Sequence, residues 1–416
     1  MKRVFLVLIA IIGLENTLIS QPAYPPPTGV YCSCGPTTGT GNGSVDPAIA
    51  AKPFVKGILV RVTWDLMEPT DDNYNWSLID GQIAAANYYN KKISLGVGCG
   101  IHIPQWVFSA GAQRLVSSVP FADTLAVPWD LTFLNKWTDF ITAFGNRYQN
   151  DTTIQLIYMT ASTGNGFEMQ LPFVTTPTLT SVGYTDTQMI SSWKTIINAF
   201  NIAFPNHYLT NDFHPVNGSN AIADSVYNYA VSTIGKRYGA SGWWWTQHNT
   251  IVYPSQYAIL QNSAVNCIFT GIQMAYSGTK DTAVFGAGGM PAALQLAIDN
   301  DVYYWEIWNQ DILNPEFEEL LTEATSGKAV SISQSLTDNK HINAYPNPVR
   351  NYLNIELSEE NSFVEVMDWT GRSVFFKPNC SGRIQVDCSR FPGGIYLIRS
   401  RKVNGPSLCQ KVIISK

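Results

Sequence analysis

Residues 302–308, VYYWEIW, place one carboxylate, Glu306, inside a run of aromatic and β-branched residues. Such a run predicts a buried strand, where an unpaired carboxylate costs several kcal/mol. Two interpretations of Glu306 follow. It is a buried acid paired with Arg61, the only Arg within a predicted inner strand, or it is a working acid in the floor of a sugar-binding cleft lined by rings.

A second acid, Glu168, lies in the Gly-rich segment TASTGNGFEMQLP (160–172), which follows another predicted strand. Its neighbour Phe167 is apolar, and an apolar environment raises the pKa of a carboxyl toward that of a general acid. Hydrolysis of a glycosidic bond needs two carboxyl groups that flank the bond. Glu168 and Glu306 are therefore candidate catalytic residues, while the alternative for Glu168 is a solvated loop carboxylate.

Other side chains suited to sugar hydroxyls or sugar faces lie at the ends of predicted strands. Asp212 and His214 end one strand, and Trp245, Gln247 and His248 end the next. The residue types support a structural role for each of them at least as well as a binding role.

The sequence lacks the common signatures of metal and cofactor sites. Cys32 and Cys34 do not have the spacing of a zinc or thioredoxin site, and the five His form no H-E-x-x-H pair. A G-x-S-x-G nucleophile motif is also missing. We therefore predict no required metal and no cofactor.

The elements that must position these residues recur along the chain. Eight short apolar runs are mostly continuous, as in parallel strands covered on both faces, and helical patterns such as 77–92 and 133–149 lie between them. This alternation predicts a (β/α)8 TIM barrel. The alternative is a doubly wound open sheet, but GTGNGS (39–44) lacks the G-x-G-x-x-G spacing of its phosphate turn. The runs are 29–34, 57–64, 92–98, 154–160, 207–213, 242–247, 268–276 and 302–308.

Residues 1–20 combine two basic residues, an apolar run and a polar end, which predicts a secretory signal peptide. No later segment reaches the length of about 18 apolar residues that a membrane span needs, so no transmembrane anchor is expected. The net charge of −5 comes without a basic stripe, which argues against nucleic acid as a partner.

The charge distribution divides the chain into two predicted domains. Residues 343–416 hold ten basic and six acidic side chains, whereas the rest of the chain is strongly acidic. We predict a barrel over 24–325, a polar linker over 326–342 and a small all-β sandwich over 343–416, where short alternating runs are separated by turns. The three cysteines of this tail allow one disulfide.

The tail resembles the C-terminal sorting domain of the type IX secretion system, which occurs in gliding and oral Bacteroidetes. The matching segments are AYPNPVRNYLNIEL, VEVMDWTGRSVF, FPGGIYLIR and QKVIISK, in the same order and spacing. The resemblance implies export through the periplasm by the type IX secretion machinery, removal of the tail, and a secreted or cell-surface location. The alternative is a carbohydrate-binding β-sandwich.

Three segments of the barrel also carry motifs of a known enzyme group. The motifs are Arg61 and Trp64 on the second strand, Glu68-Pro69, YNW (74–76) with Asp80, and Pro104-x-Trp106 after the third strand. Together they resemble the clan A glycoside hydrolases, which include β-galactosidases and cellulases. The resemblance implies an acid/base Glu after the fourth strand, where Glu168 lies, and a nucleophilic Glu at the end of the seventh strand.

The seventh strand departs from that pattern, because it carries Gln273 where a Glu is implied. Glu306 on the eighth strand is the remaining candidate, and Trp305 matches the Trp that clan A often carries there under the sugar. Side chains alternate along a strand, so Trp305 and Glu306 cannot both face the barrel interior unless one is at the strand tip. Gln273 leaves three alternatives: a nucleophile on the eighth strand, an inverting or substrate-assisted mechanism, or binding without cleavage.

Two functions are therefore predicted. One is a secreted glycoside hydrolase that cleaves a β-linked oligo- or polysaccharide with Glu168 and Glu306. The other is a catalytically inactive barrel that acts as a surface carbohydrate-binding protein. For the hydrolase we expect both acids to open into one cleft, with carboxyl carbons within about 10 Å. The residues predicted to contact the sugar are Arg61, Trp64, Trp106, Asp212, Trp245, Gln247, His248, Gln273 and Trp305.

Overall fold

The structure of the 416-residue chain is a computed structural model. The predicted signal peptide, residues 1–20, lies outside the described residues, and so does the predicted linker apart from its first residue. The structure describes residues 25–33, 46–117, 123–172, 174–278, 284–285, 288–326, 343–357, 362–368, 372–402 and 407–415.

The first part of the chain forms an eight-stranded parallel sheet in the order β7-β6-β3-β2-β1-β10-β9-β8. Parallel bridges between Leu209 and Tyr238 and between Asp212 and Ser241 join the two ends, so the sheet closes into a barrel. The predicted (β/α)8 barrel is confirmed. The barrel strands are β1 (Gly29–Ser33), β2 (Val55–Thr63), β3 (Lys92–Gly98), β6 (Ile154–Tyr158), β7 (Tyr208–Thr210), β8 (Ser241–Trp245), β9 (Gly271–Met274) and β10 (Tyr304–Trp308), and a hairpin of β4 (Arg114–Val116) and β5 (Thr124–Ala126) lies outside it.

Helices surround the barrel because their apolar stripes pack against its outer face. In α5 the Asp130 side chain caps the first turn by accepting a hydrogen bond from the Phe133 amide, and the buried residues recur with helical spacing. The helices are α1 (Pro47–Ala50), α2 (Trp64–Met67), α3 (Ser77–Tyr88), α4 (Gln105–Ser109), α5 (Leu131–Tyr148), α6 (Thr176–Ser181), α7 (Asp186–Ala203), α8 (Ala221–Ile234), α9 (Gln247–Val252), α10 (Pro254–Asn266), α11 (Gly289–Asp299), α12 (Asn309–Ile312) and α13 (Pro315–Ser326).

Two separate apolar clusters show which way the strand side chains point. The larger cluster lies between the strands and the helices and includes Trp305. The smaller cluster fills the barrel and includes Tyr31, Tyr158, Trp243 and Tyr304. Because side chains alternate, β10 directs Tyr304 and Glu306 inward and Trp305 outward.

The tail forms two antiparallel sheets with a shared core, as predicted for the small all-β domain. One sheet has the order β11-β12-β15 and the other the order β14-β13-β16-β17. The disulfide that the tail's cysteines allowed is not formed, because Cys380 and Cys388 carry free thiols. The strands are β11 (Asn343–Tyr345), β12 (Tyr352–Glu356), β13 (Ser362–Asp368), β14 (Ser373–Cys380), β15 (Arg383–Asp387), β16 (Gly394–Lys402) and β17 (Ser407–Ile414).

Within the described ranges, every helix is too short or too polar to cross a lipid bilayer.

Candidate functional site

Glu306 lies inside the barrel, with 0% of its surface exposed. Its Oε1 accepts hydrogen bonds from the hydroxyls of Tyr158 at 2.6 Å and Tyr304 at 2.5 Å. The Tyr158 hydroxyl in turn accepts a bond from Trp243 Nε1 at 3.1 Å. Glu306 Oε2 has no hydrogen-bond partner among the described residues. Half of this buried carboxyl is thus fixed by tyrosines, and the other half has unused hydrogen-bonding capacity.

The environment of Glu306 opposes its ionisation. Burial raises the pKa of Glu306 to about 7, although the two tyrosine hydroxyls and the Arg61 charge favour the anion. The structure therefore combines the two interpretations of the sequence. Glu306 is buried and lies near a cation, but its direct partners are Tyr158 and Tyr304 rather than Arg61.

Gln273 is the neighbour of Glu306 on the adjacent strand β9. Its Oε1 accepts a hydrogen bond from Ser33 Oγ at 2.5 Å, and Ser33 Oγ accepts one from Arg61 Nη2 at 3.5 Å. The Arg61 guanidinium lies 5.4 Å from the centroid of the Trp243 ring. An amide at position 273 thus serves as an acceptor in a polar network that fixes Arg61 beside Glu306.

Glu168 is held by a short, rigid loop after β6. Asn165 Oδ1 accepts hydrogen bonds from the amides of Phe167 at 3.0 Å and Glu168 at 2.8 Å. Gly166 has φ +79°, and a Cβ there would collide with the backbone of Cys99, so this turn requires glycine. The glycines and the Asn of this segment set the direction in which Glu168 points.

Glu168 is the end of a line of polar groups that continues through His214 to Asp212. Glu168 Oε2 lies 3.9 Å from His214 Nε2, and His214 Nδ1 lies 2.5 Å from Asp212 Oδ2. Asp212 Oδ1 accepts a hydrogen bond from the Trp243 amide at 2.6 Å. The Glu168 side chain is 20% exposed, whereas those of His214 and Asp212 are 5% and 0% exposed. Only the outer end of this line thus has substantial contact with solvent.

The charges along this line raise the pKa of both Glu168 and His214. Burial raises the pKa of Glu168, the Asp212 charge raises it further, and His214 opposes the shift. Burial lowers the pKa of His214, but Asp212 and Glu168 outweigh burial and raise it overall. Glu168 is thus a partly exposed carboxyl that holds its proton to a higher pH than an ordinary Glu, as a general acid must.

We expect Asp212→Asn to lower the pKa of His214, because the substitution removes the carboxylate that stabilises the imidazolium. The Asn side-chain oxygen can still accept the Trp243 amide, so the fold should be retained. A titration of the His214 ring followed by ¹H–¹⁵N NMR measures the effect, and the other His rings provide the internal control. An unchanged His214 titration contradicts this account of the line.

The structure brings together Arg61, Asp212, Gln273 and Glu306 at the carboxyl end of the barrel, and Glu168 adjoins them through His214. The charge of Asp212 acts on both Glu168 and Glu306. However, the expectation that both acids open into one cleft is not met by Glu306, which is closed off from solvent.

Other residues that the sequence singled out lie elsewhere. Trp64, Trp245 and Trp305 are buried in the core between strands and helices, and their ring nitrogens donate to Glu68, Ala293 and Val302. Each ring is thus fixed away from the barrel interior. Trp106 is half-buried and donates to the Glu68 carbonyl, while Gln247 and His248 begin α9, half-buried and exposed respectively.

Sequence reasoning missed Tyr158, Tyr304 and Trp243 as parts of the site. A signal for Tyr304 existed, because it precedes Glu306 by two residues and therefore shares its face of the strand. No local signal identified Tyr158, which lies 148 residues away from Glu306 in the chain.

One acidic group in the described residues has metal-like spacing, with ligand atoms of Glu68, Asp71 and Asp72 within 4.8 Å of one another. Both carboxylate oxygens of Glu68 already have hydrogen-bond partners within the fold. Its two oxygens accept hydrogen bonds from Trp64 Nε1 at 2.7 Å and from the Asp72 amide at 3.0 Å. This geometry agrees with the structural turn expected at Glu68-Pro69.

The fold is similar to those of several solved glycoside hydrolases at low sequence identity. The β-amylase catalytic domain of Paenibacillus polymyxa is 10% identical, with a TM-score of 0.49 over 73% of this chain and 100% of that one. A β-galactosidase of Marinomonas ef1 is 10% identical, with a TM-score of 0.47 over 77% of this chain and 63% of that one. A psychrophilic family 10 endo-β-1,4-xylanase is 11% identical, with a TM-score of 0.42 over 68% of this chain and 86% of that one. These likenesses transfer no residue's role to this chain.

The tail gives a specific match. No curated protein sequence matches the chain significantly. A family model does match residues 343–415, and its description is the secretion system C-terminal sorting domain. This chain therefore ends in a sorting domain of the type IX secretion machinery, which implies export to the cell surface or the medium.

Proposed function

We propose that the chain is a secreted glycoside hydrolase that cleaves a β-linked oligo- or polysaccharide with Glu168 and Glu306. One observation carries the proposal. Two carboxyl groups from distant parts of the chain lie near the same Asp212 at the carboxyl end of a (β/α)8 barrel, and the pKa of each is raised. This end is where barrel enzymes assemble their active sites.

In this proposal Glu168 donates a proton to the oxygen of the leaving sugar as the glycosidic C–O bond breaks. Its partial exposure gives it access to a substrate, and its raised pKa keeps the proton available. His214 and Asp212 hold the carboxyl in place. In a retaining course Glu168 then accepts a proton from the incoming water and returns to its starting state, whereas in an inverting course Glu306 takes that proton.

Glu306 acts in its ionised form, as a nucleophile toward the anomeric carbon in a retaining course or as the base for water in an inverting one. The hydroxyls of Tyr158 and Tyr304 stabilise the anion at Oε1 and leave Oε2 as the reacting atom. Arg61 supplies the positive charge that favours ionisation. Gln273, which neighbours Glu306 on β9, is a further residue that we propose for sugar binding.

A second candidate is a barrel that binds carbohydrate without cleaving it. Gln273 favours this alternative, because an amide is a poor nucleophile and is already engaged by Ser33. The complete burial of Glu306 also favours it. Export through the type IX sorting tail suits both candidates, since a surface protein of either kind meets polysaccharides outside the cell.

The test is a screen of the full-length chain against a panel of β-linked polysaccharides and oligosaccharides. Reducing-sugar release and retardation in affinity gels containing the same polysaccharides are measured in parallel. We expect release from at least one substrate. Retardation without release at any pH between about 5 and 8 would replace the hydrolase with the binding protein, and the absence of both would contradict both candidates.

A further inference from the structure

The ring of Phe167 lies inside the barrel, near the carboxyl end of β3. A Cβ added to Gly96 would lie 3.2 Å from this ring, and one added to Gly98 would lie 2.6 Å from it. The ring stacks on Trp243, with 5.8 Å between centroids and 28° between planes. Phe167 itself is only 8% exposed. Phe167 thus spans the barrel from β3 to β8, resting on two glycines whose missing side chains make room for it.

A chain of contacts connects this ring to a carboxyl with unused hydrogen-bonding capacity. The ring that stacks on Phe167 belongs to Trp243, whose Nε1 binds the Tyr158 hydroxyl, and that hydroxyl binds Glu306 Oε1. Glu306 Oε2 is buried and has no partner among the described residues. Buried polar atoms are nearly always hydrogen-bonded, so an unpartnered carboxylate oxygen indicates the position of a donor that the site is built to receive.

We propose that Phe167 is a displaceable plug that occupies the position of a neutral pyranose ring. The inference rests on the proposed function and deepens it by naming the class of ligand and its place. When the sugar binds, its apolar face takes the place of the phenyl ring against Trp243, and one of its hydroxyls donates to Glu306 Oε2. Arg61 and Asp212, which carry opposite charges, both act on Glu306, so the surroundings favour neither an anionic nor a cationic sugar.

The backbone of the loop that carries Phe167 is held in place, so the ring leaves its position by rotation of its own side chain. Gly164 and Gly166 flank Asn165, and the Phe167 backbone is held through the Asn165 side chain. A sugar binds only those molecules in which the ring is displaced. Its apparent affinity is therefore the intrinsic affinity multiplied by the fraction of open molecules.

Two variants test the plug by opposite means. Phe167→Ala removes the ring, whereas Gly98→Ala leaves the ring in the chain but inserts a methyl group into its place. Phe269→Ala is the matched control, because Phe269 belongs to the same interior cluster but precedes β9 at the amino end of the barrel. Thermal unfolding identifies any variant that does not fold, and Phe167→Leu replaces Phe167→Ala in that case.

The first measurement is modification of Glu306 by a water-soluble carbodiimide and a neutral amine, followed by peptide mass spectrometry. This reaction needs access to the carboxyl but no catalysis, so it separates the plug from the proposed hydrolase. We expect Glu306 to be protected in the wild type and in Phe269→Ala. It should react at least about tenfold faster in Phe167→Ala and Gly98→Ala. Equal protection in all variants, or equal exposure in Phe269→Ala, would overturn the plug.

The second measurement is calorimetric binding of D-glucose, D-galactose and D-xylose to the same proteins. If the ring is in place in about nine molecules of ten, opening the mouth should strengthen binding of the matching sugar about tenfold. This gain should disappear when Glu306→Gln is added to Phe167→Ala, because the amide nitrogen cannot accept the sugar hydroxyl. Exposure of Glu306 without stronger binding of any of the three sugars would overturn the ligand assignment. Stronger binding without turnover of any polysaccharide would support the plug while the hydrolase failed.

Discussion

Glu168→Gln is expected to slow the cleavage of an unactivated β-linked substrate by about 10²- to 10⁴-fold, the usual contribution of a positioned general acid. The Gln side chain keeps the size of the carboxyl but has no proton to give to the leaving oxygen. A dinitrophenyl glycoside needs no such proton, since its leaving group is a weak base. The loss in the rate of bond cleavage should therefore be much smaller for that substrate.

The comparison of the two substrates distinguishes a loss of proton donation from a loss of structure or binding. Values of kcat/KM are compared between wild type and variant for each, with Glu316→Gln as the control because Glu316 is an exposed Glu in the first turn of α13. An equal loss on both substrates would show that Glu168 supports the structure or binding rather than protonating the leaving group. No loss on either substrate would remove Glu168 from the mechanism.

Glu306→Gln is the second large effect, with an expected loss of about 10³-fold or more in kcat/KM on every substrate, as when a nucleophile is removed. In the wild type, activity should rise with pH through about 7, the pKa to which burial raises the Glu306 carboxyl, because only the anion reacts. The residual activity of the variant should lack this rise. A pH profile of kcat/KM for both proteins measures the difference.

The same substitution has a predicted effect on stability that does not depend on catalysis. The pKa of Glu306 is about 7 in the folded state and 4.5 for an ordinary Glu, so folding takes up a proton between these values. The wild type therefore loses stability as pH rises from about 5 to 8, by up to about 3 kcal/mol. Gln does not ionise, so the variant should gain relative to the wild type over this range. Urea unfolding at both pH values tests this, and a constant difference would show that Glu306 is ionised throughout.

The barrel was predictable because its strands are buried on both faces, which leaves mostly apolar runs such as GILVRVTW (57–64) that few other folds require. The position of Glu306 relative to Trp305 was predictable in part, since alternation allows only one of them inside. The sequence also contained a signal for the space that the Phe167 ring occupies. Gly96 and Gly98 are two residues apart on one strand face, which leaves a hollow on that face.

The hydrogen-bond partners of the two acids could not be predicted, because they depend on contacts across the barrel. Tyr158 on β6 reaches Glu306 on β10, and Asp212 after β7 receives the amide of Trp243 on β8. Each pairing depends on how the closed sheet is staggered, which no local pattern encodes. The full burial of Glu306 has the same origin, since it depends on side chains from several strands that meet inside the barrel.

Trp243 supports Glu168 and Glu306 indirectly, through different atoms. Its main-chain N–H donates to Asp212, which leads through His214 to Glu168, and its indole N–H donates to Tyr158, which binds Glu306. A mutation to another aromatic residue at this codon would preserve the first bond and delete the second. Such a change would leave the Tyr158 hydroxyl, a partner of Glu306, without its indole donor while the contacts of Asp212 are kept. Under the proposed function, one substitution at Trp243 would therefore alter the surroundings of Glu306 while the line of Asp212, His214 and Glu168 is kept.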